Sequence, residues 1–230
     1  LSPSLLSREQ ADLLAPEINV PVVKGKKLAL ESVRKAFRPL DETKINWIFE
    51  FKRGDVLKIG DVTITAPRAN RVIIASVAEE NPWFAPELEK FLPDLGAKVD
   101  VALLSGFHYL TAGKELPKQL KLIEAQLAAL KKKNKKLLLH FEYVPPAHKD
   151  VEKKLLLSLC KHVDSKGLNE TELIEVLKML GKHSEAEFLR KHESAYSICQ
   201  GMRKLMAVTG LKRLQVHDLE GLLPEDDILT

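Results

Sequence analysis

Apolar positions change their period along this chain, and the changes mark its elements. The opening segment Ser7-Arg8-Glu9-Gln10-Ala11-Asp12-Leu13-Leu14 reads as a short helix with Ser7 as N-cap, and Pro16 and Pro21 interrupt the stretch after it. Residues 44–52, Lys44-Ile45-Asn46-Trp47-Ile48-Phe49-Glu50-Phe51-Lys52, are aromatic and β-branched, and Arg53-Gly54-Asp55 ends them with a turn signal. Val56 to Ile59, a Gly60-Asp61 turn and Val62 to Thr65 predict a hairpin, so this stretch is expected to be a small β-rich element.

From residue 71 short apolar runs alternate with longer helical patterns. Strands are expected at Val72-Ile73-Ile74-Ala75, from Val99 to Leu104 and from Leu137 to Phe141, with helices from Ala85 to Leu95 and from Leu116 to Lys133. Continuous apolar strands separated by helices are what a parallel sheet covered on both faces requires. Three such strands with crossover helices predict a doubly wound α/β domain. Helices near 150–163, 170–181 and 184–208 then lead to a last strand, Arg213-Leu214-Gln215-Val216-His217.

The length of 230 residues allows one large domain, or one domain with a smaller appendage, at roughly 100–200 residues per domain. With 45% hydrophobic and 30% charged residues the chain falls in the globular range, away from disordered, collagenous and disulfide-rich classes. A net charge of +4 suits small anionic substrates and is too small to argue for nucleic acid. The one biased run, Lys131-Lys132-Lys133-Asn134-Lys135-Lys136, reads either as an anionic-surface patch or, more simply, as solvated cations complementing a helix C-terminus. Two cysteines, Cys160 and Cys199, make neither a disulfide scaffold nor a zinc site and favour a reducing compartment. No apolar run reaches the length of a membrane span, and the N-terminus has no signal-peptide pattern, so no membrane partner is expected.

Candidate chemistry is sought beyond the carboxyl ends of the strands, where open α/β sheets bind ligands. After Leu137-Leu138-Leu139 come His140-Phe141-Glu142, and a period of two puts His140 and Glu142 on one face. A Glu there can hold magnesium, directly or through water, with the His orienting it or meeting phosphate. The same spacing also describes a strand end with a satisfied histidine, which is the commoner case. In Leu168-Asn169-Glu170-Thr171-Glu172-Leu173, Asn169 is an N-cap with Glu172 at N3, a reciprocal cap that needs no ligand. Glu172 at a helix N-terminus can equally share a hydrated magnesium ion with another carboxylate, and the two roles are compatible. Ser105-Gly106-Phe107-His108 offers a close backbone approach and two polar groups, and Arg71 offers either a bidentate phosphate contact or a surface ion pair. There is no Gly-rich phosphate loop, zinc cluster or nucleophile elbow.

Several segments, taken in order, resemble the ADP-dependent sugar kinases, the glucokinases and 6-phosphofructokinases. They are Phe49-Glu50-Phe51-Lys52-Arg53-Gly54, Ala66-Pro67-Arg68-Ala69-Asn70-Arg71, Leu104-Ser105-Gly106-Phe107-His108, His140-Phe141-Glu142, Gly167-Leu168-Asn169-Glu170-Thr171-Glu172-Leu173 and Gln215-Val216-His217. The resemblance implies an α/β class and a ribokinase-like fold: a three-layer α/β/α large domain and a small β-rich lid. On that basis residues 1–18 belong to the large domain, 19–66 to the lid and 67–230 to the large domain, which is expected to be incomplete at both ends.

The same resemblance implies that Glu142 and Glu172 hold Mg2+, His140 and Asn169 support them, Arg71 contacts the transferred phosphoryl group and His217 lies on the nucleotide side. The implied reaction moves the β-phosphoryl group of ADP to fructose 6-phosphate, with glucose as a possible second acceptor, giving AMP in a modified glycolysis in the cytoplasm. An ADP-dependent glucokinase is the alternative within the family, and a non-catalytic ribokinase-like binding or regulatory module the alternative outside it. Expected partners are ADP and a sugar or sugar phosphate, without nucleic acid or membrane. The family's Gly-x-Gly-Asp base has no counterpart here, and Asp218-Leu219-Glu220-Gly221 departs from the pattern usual after His217. With Leu1 as first residue, these departures lead to the expectation that the chain is the central part of a longer kinase and inactive by itself.

Overall fold

The structure is a computed structural model that describes residues 7–37, 46–75, 84, 86–107, 110, 112–146, 148–192 and 194–217. Leu1, His108 and the segment from Asp218, singled out in the sequence, lie outside the described residues. Two compact units are drawn from Leu1–Lys24 with Ala29–Glu80 and from Gly25–Leu28 with Asn81–Thr230.

In the first unit α1 (Arg8–Leu13) begins at Ser7, whose hydroxyl accepts from the Gln10 N–H while the Gln10 side chain accepts from the Ser7 N–H. This reciprocal cap satisfies two helix-terminal donors. Ala11, Val20, Val33 and Ala36 form a small buried core. β1 (Asn19–Lys24) and β2 (Lys27–Ser32) pair as a two-stranded sheet that the proline-interrupted sequence did not signal. Pro21 is tolerated because an edge strand can leave one donor position unused.

β3 (Asn46–Phe51) pairs antiparallel with β6 (Asn70–Ala75), and between them β4 (Val56–Ile59) and β5 (Val62–Thr65) form the expected hairpin. Gly60 makes its turn at φ +58°, a left-handed conformation that a side chain would strain. The run at 72–75 therefore differs from the expectation: it is the antiparallel partner of β3, and Val72, Ile73 and Ile74 are exposed. A short apolar run carries no information about the direction or identity of its partner.

The second unit opens with a 3-10 turn (Pro86–Phe91) and α2 (Leu92–Gly96), shorter than the helix the pattern suggested. Its parallel sheet contains β7 (Val101–Leu104), β8 (Leu138–Glu142), β9 (Ser165–Asn169) and β10 (Arg213–His217), in spatial order β10-β9-β8-β7. The crossovers are α3 (Leu116–Leu130), α4 (Lys149–Leu159) and the group α5 (Glu170–Met179), α6 (His183–His192) and α7 (Ala195–Thr209). The stretch read as one helix over 184–208 is two, because the Ser194 side chain caps a fresh start at α7.

Among the described residues the strands advance in one direction without reversing, so right-handed crossovers bring their helices to the same face. Burial agrees: Leu104, Leu139, Phe141, Tyr143, Leu168 and Leu214 are buried in one core, whereas Val101, Leu103 and Leu138 are exposed. The described residues thus show one helical layer of the sheet, where the strand pattern had suggested cover on both faces. Each large side chain fully buried beneath that layer contributes about 1.5–3 kcal/mol.

The lysine run follows α3 and is tied down locally. Lys131 and Lys212 bond the buried carboxylate of Asp164, which also accepts from the Leu139 N–H at 3.1 Å. Lys133 pairs with Asp94, and the Asn134 amide donates to the Gly96 and Val99 carbonyls. Lys131 is thus tied to a buried carboxylate rather than solvated, while Lys132, Lys135 and Lys136 are exposed as the solvated-turn reading expects.

Candidate functional site

Strand pairing arranges residues of β8, β9 and β10 in rows that run from the starts of β9 and β10 to the carboxyl ends of all three strands. His140 stands opposite Ser165 and Ser165 opposite Arg213; Glu142 stands opposite Gly167 and Gly167 opposite Gln215; Asn169 stands opposite His217. A side-chain period of two puts all of them on the face turned away from the buried core.

His140 and Glu142 meet there: His140 Nε2 is 3.3 Å from Glu142 Oε2. His140 Nδ1 is 2.8 Å from Ser165 Oγ, and Arg213 Nη1 donates to the same oxygen at 3.2 Å. From β10, His217 Nε2 is 3.2 Å from Glu142 Oε1. Glu142 therefore has an imidazole nitrogen at each carboxylate oxygen while its side chain remains 42% exposed. Such a carboxylate is oriented and still reachable by a ligand.

Gly167 makes this crossing possible. A Cβ added there would lie 2.1 Å from Glu142 Oε2 and 3.0 Å from His140 Nε2. The glycine is thus the floor under the pair, and any side chain would push the carboxylate aside.

Asn169 and Glu172 form the reciprocal cap of α5: the Glu172 N–H donates to Asn169 Oδ1 and the Asn169 N–H donates to Glu172 Oε2, both at 2.8 Å. Burial pushes the Glu172 carboxyl above its ordinary pKa, against the Asn169 N–H and the charge of Lys166, which pull it down. The charge of Glu142 adds to the upward push, so the two carboxylates share an electrostatic neighbourhood.

On the opposite face of β9, Lys166 is fully buried, and its ammonium has no hydrogen-bond partner among the described residues. Its Nζ lies 3.9 Å from the Tyr143 ring centroid, a cation–π contact. Burial lowers its pKa to about 8, opposed by Cys160, Glu172 and Glu152. Burial and the bond it donates to Glu152 push the Tyr143 hydroxyl well above the ordinary tyrosine range.

Arg71 belongs to the first unit, on β6 opposite Glu50, with Nη1 3.9 Å from Glu50 Oε1 on the surface. Ser105 is exposed after β7, and Gly106 adopts φ +89°. Among the described residues no group of three or more His, Cys, Asp or Glu side chains is arranged to hold a metal ion. Sequence reasoning did not assign Ser165, Gly167 and Arg213 to this site, nor single out Lys166 beneath it. Ser165-Lys166-Gly167-Leu168-Asn169 has no apolar run, so its pattern does not predict β9 as a strand; the Asn169 cap that ends it was the available signal.

Residues 1–221 match the conserved region of ADP-specific phosphofructokinases and glucokinases. An ADP-specific phosphofructokinase of Thermococcus litoralis is 33% identical over 227 residues, covering 95% of this chain and 49% of the relative. An ADP-dependent glucose/glucosamine kinase of Pyrococcus abyssi is 30% identical over 185 residues, covering 79% of this chain and 39% of the relative. A solved ADP-dependent kinase complex with fructose-6-phosphate and ADPβS superimposes with a TM-score of 0.77 at 30% identity, covering 93% of this chain and 48% of that one. The chain spans about half the length of the curated phosphofructokinases it matches. With its parallel α/β sheet and the ordered strand-end motifs, this chain belongs to the ADP-specific phosphofructokinase/glucokinase family.

Proposed function

We propose that the protein containing this chain transfers the β-phosphoryl group of ADP to fructose 6-phosphate and releases AMP, in a modified glycolysis in the cytoplasm. The carrying observation is Glu142, held between two imidazoles at the carboxyl ends of parallel strands, beside the Asn169–Glu172 cap. That arrangement sits in a chain 30% identical to a kinase solved with fructose 6-phosphate and an ADP analogue. The likeness to a glucose/glucosamine kinase supports glucose as the alternative acceptor.

Glu142 and Glu172 would hold a magnesium ion. Magnesium keeps several waters and takes one or two carboxylates together with substrate phosphates, so the exposed Glu142 with Glu172 at the α5 N-terminus would be enough without a three-residue cage. Bound there, the ion would neutralise charge on the phosphates of ADP. His140 and His217 orient Glu142, and Asn169 fixes Glu172 through the cap. By the family resemblance Arg71, which pairs with Glu50 on the surface, would contact the transferred phosphoryl group. The lid would be formed by residues 19–66 together with β6, which pairs with β3 and so does not join the large domain as the sequence suggested, with His217 toward the nucleotide.

The test is AMP formation by the full-length protein with ADP and magnesium, offered fructose 6-phosphate or glucose in parallel. AMP with fructose 6-phosphate is expected. Faster turnover of glucose would move the assignment to a glucokinase, and no AMP with either sugar would leave the non-catalytic module. Without the Gly-x-Gly-Asp base, residues 1–230 alone are expected to form no AMP.

A further inference from the structure

We propose that a basic cavity at the amino end of the parallel sheet, the end opposite Glu142, binds a nucleoside polyphosphate. The proposal goes beyond the kinase reading and does not depend on it.

The cavity has a volume of about 480 Å³, within the range of small-molecule sites, and all of its lining residues belong to the second unit. Lys26, Lys27 and Lys98 supply its charge, and Leu28, Phe91 and Ala97 its apolar surface. The three ammonium groups have no hydrogen-bond or ion-pair partner among the described residues, and none of them is placed against a carboxylate. Asp94 also lines the cavity, but its carboxylate is paired with Lys133. Three unpaired cations around a neutralised acid attract an anion of several charges.

The lysine run at 131–136 adds to this field. Asn134, in the middle of it, donates to the Gly96 and Val99 carbonyls at 3.2 and 3.0 Å, which fastens the run to the turn carrying Ala97 and Lys98. The dipole of α3 acts within its last turn and gives no reason for Lys26 and Lys27, which come from the β1–β2 turn and the start of β2. A lone phosphate would leave the apolar surface unused, and a wholly apolar ligand would leave three ammonium groups without a counter-charge. A nucleoside polyphosphate meets both demands. Its phosphates face the lysines, whose compact ammonium groups bind phosphate as point charges, and its base rests on Leu28 and the Phe91 ring.

Lys98 precedes β7 and the lysine run precedes β8, whereas Glu142 ends β8. The length of β8, about 13 Å at 3.3 Å per residue, therefore separates the two places. A ligand held there acts as an effector and not as the phosphoryl donor.

Lysine acylation of the full-length protein, read by mass spectrometry, locates the ligand. The probe is ATP, which the proposed reaction neither consumes nor forms, and inorganic tripolyphosphate is the parallel arm. With ATP at ten times its half-saturating concentration, labelling of Lys26, Lys27 and Lys98 is expected to slow about tenfold, with unchanged labelling at Lys191 on α6. Lys27→Ala combined with Lys98→Ala should weaken ATP binding about tenfold, while the melting temperature and AMP formation without ATP stay at the parent values. Undiminished labelling of the three lysines would overturn the proposal, as would equal slowing at Lys191, the mark of a diffuse ion atmosphere. Equal protection by tripolyphosphate would overturn the nucleoside assignment, because the apolar surface would then contribute nothing. Labelling needs no turnover, so a protein that formed no AMP would sink the kinase reading and leave this result standing.

Discussion

Glu142 and Lys166 lie on opposite faces of the same sheet, and their surroundings give them opposite tasks. Glu142 is gripped at both oxygens above Gly167, where a methyl group would come within 2.1 Å of Oε2. Because the atom it meets is the tip of a flexible side chain, Gly167→Ala is expected to leave thermal stability nearly unchanged. The same substitution should raise the magnesium requirement of the full-length protein about tenfold, read from AMP formation against magnesium concentration. Lys166 has a fully buried ammonium against the ring faces of Tyr143 and Phe141, with no hydrogen-bond partner among the described residues. Its folded pKa of about 8 lies below the ordinary lysine value of 10.5, so the unfolded chain binds more protons between these values and stability rises with pH across that window. Lys166→Met is therefore expected to stabilise the protein by about 1–3 kcal/mol near neutral pH and to remove the alkaline rise, as chemical denaturation at pH 7 and pH 10 would show. Residue identity alone pointed to Glu142, whose type and place after an apolar strand suggest chemistry. It did not point to Gly167 or Lys166, because only the approach of neighbouring strands makes a missing Cβ or a buried ammonium consequential.

At the scale of elements, Asp164 links the turn after α3 to the starts of β8, β9 and β10. Lys131 and Lys212 bond its carboxylate, Leu139 donates to it, and its carbonyl accepts from the Lys212 and Arg213 N–H groups. Burial alone would raise the pKa of this group, but the two ammonium groups and the Leu139 N–H outweigh it and bring the value down to about 2. A depressed carboxyl stabilises the fold above the unfolded pKa, near 3.8, and loses that contribution as pH falls through about 2. Asp164→Asn is expected to cost about 2 kcal/mol at pH 7 and to lose less stability than the parent between pH 4 and pH 2, measured as thermal melts across that range. Elements with a strong local signature were legible in the sequence: the Ser7 and Asn169 caps, the Gly60 hairpin, α3 and β8. β9 was not, because Lys166 and Gly167 break its apolar pattern for reasons that reside in the site.

At the scale of the molecule, large apolar residues remain exposed within each unit. In the first unit these include Trp47, Ile48, Phe49, Val72, Ile73 and Ile74 on β3 and β6, and in the second Val101, Leu103 and Leu138 on the open face of the sheet. Contiguous exposed apolar surface of this kind drives association. Residues 1–230 expressed alone are expected to bind a hydrophobic dye and to self-associate, and Leu103→Lys with Ile73→Lys should lower both in light scattering without loss of helical circular dichroism. Hydrophobic period, caps and turn residues by themselves determined the α/β class, most of the helices and the candidacy of His140, Glu142, Asn169 and Glu172, because these signals act over a few neighbouring residues. Tertiary structure decided what depends on residues far apart in the chain: that 72–75 pairs with β3, that the helices share one face, and that His217 and Ser165 meet the two ends of the His140–Glu142 pair. Register between parallel strands is set by the packing of whole elements, and no local pattern in the sequence encodes it.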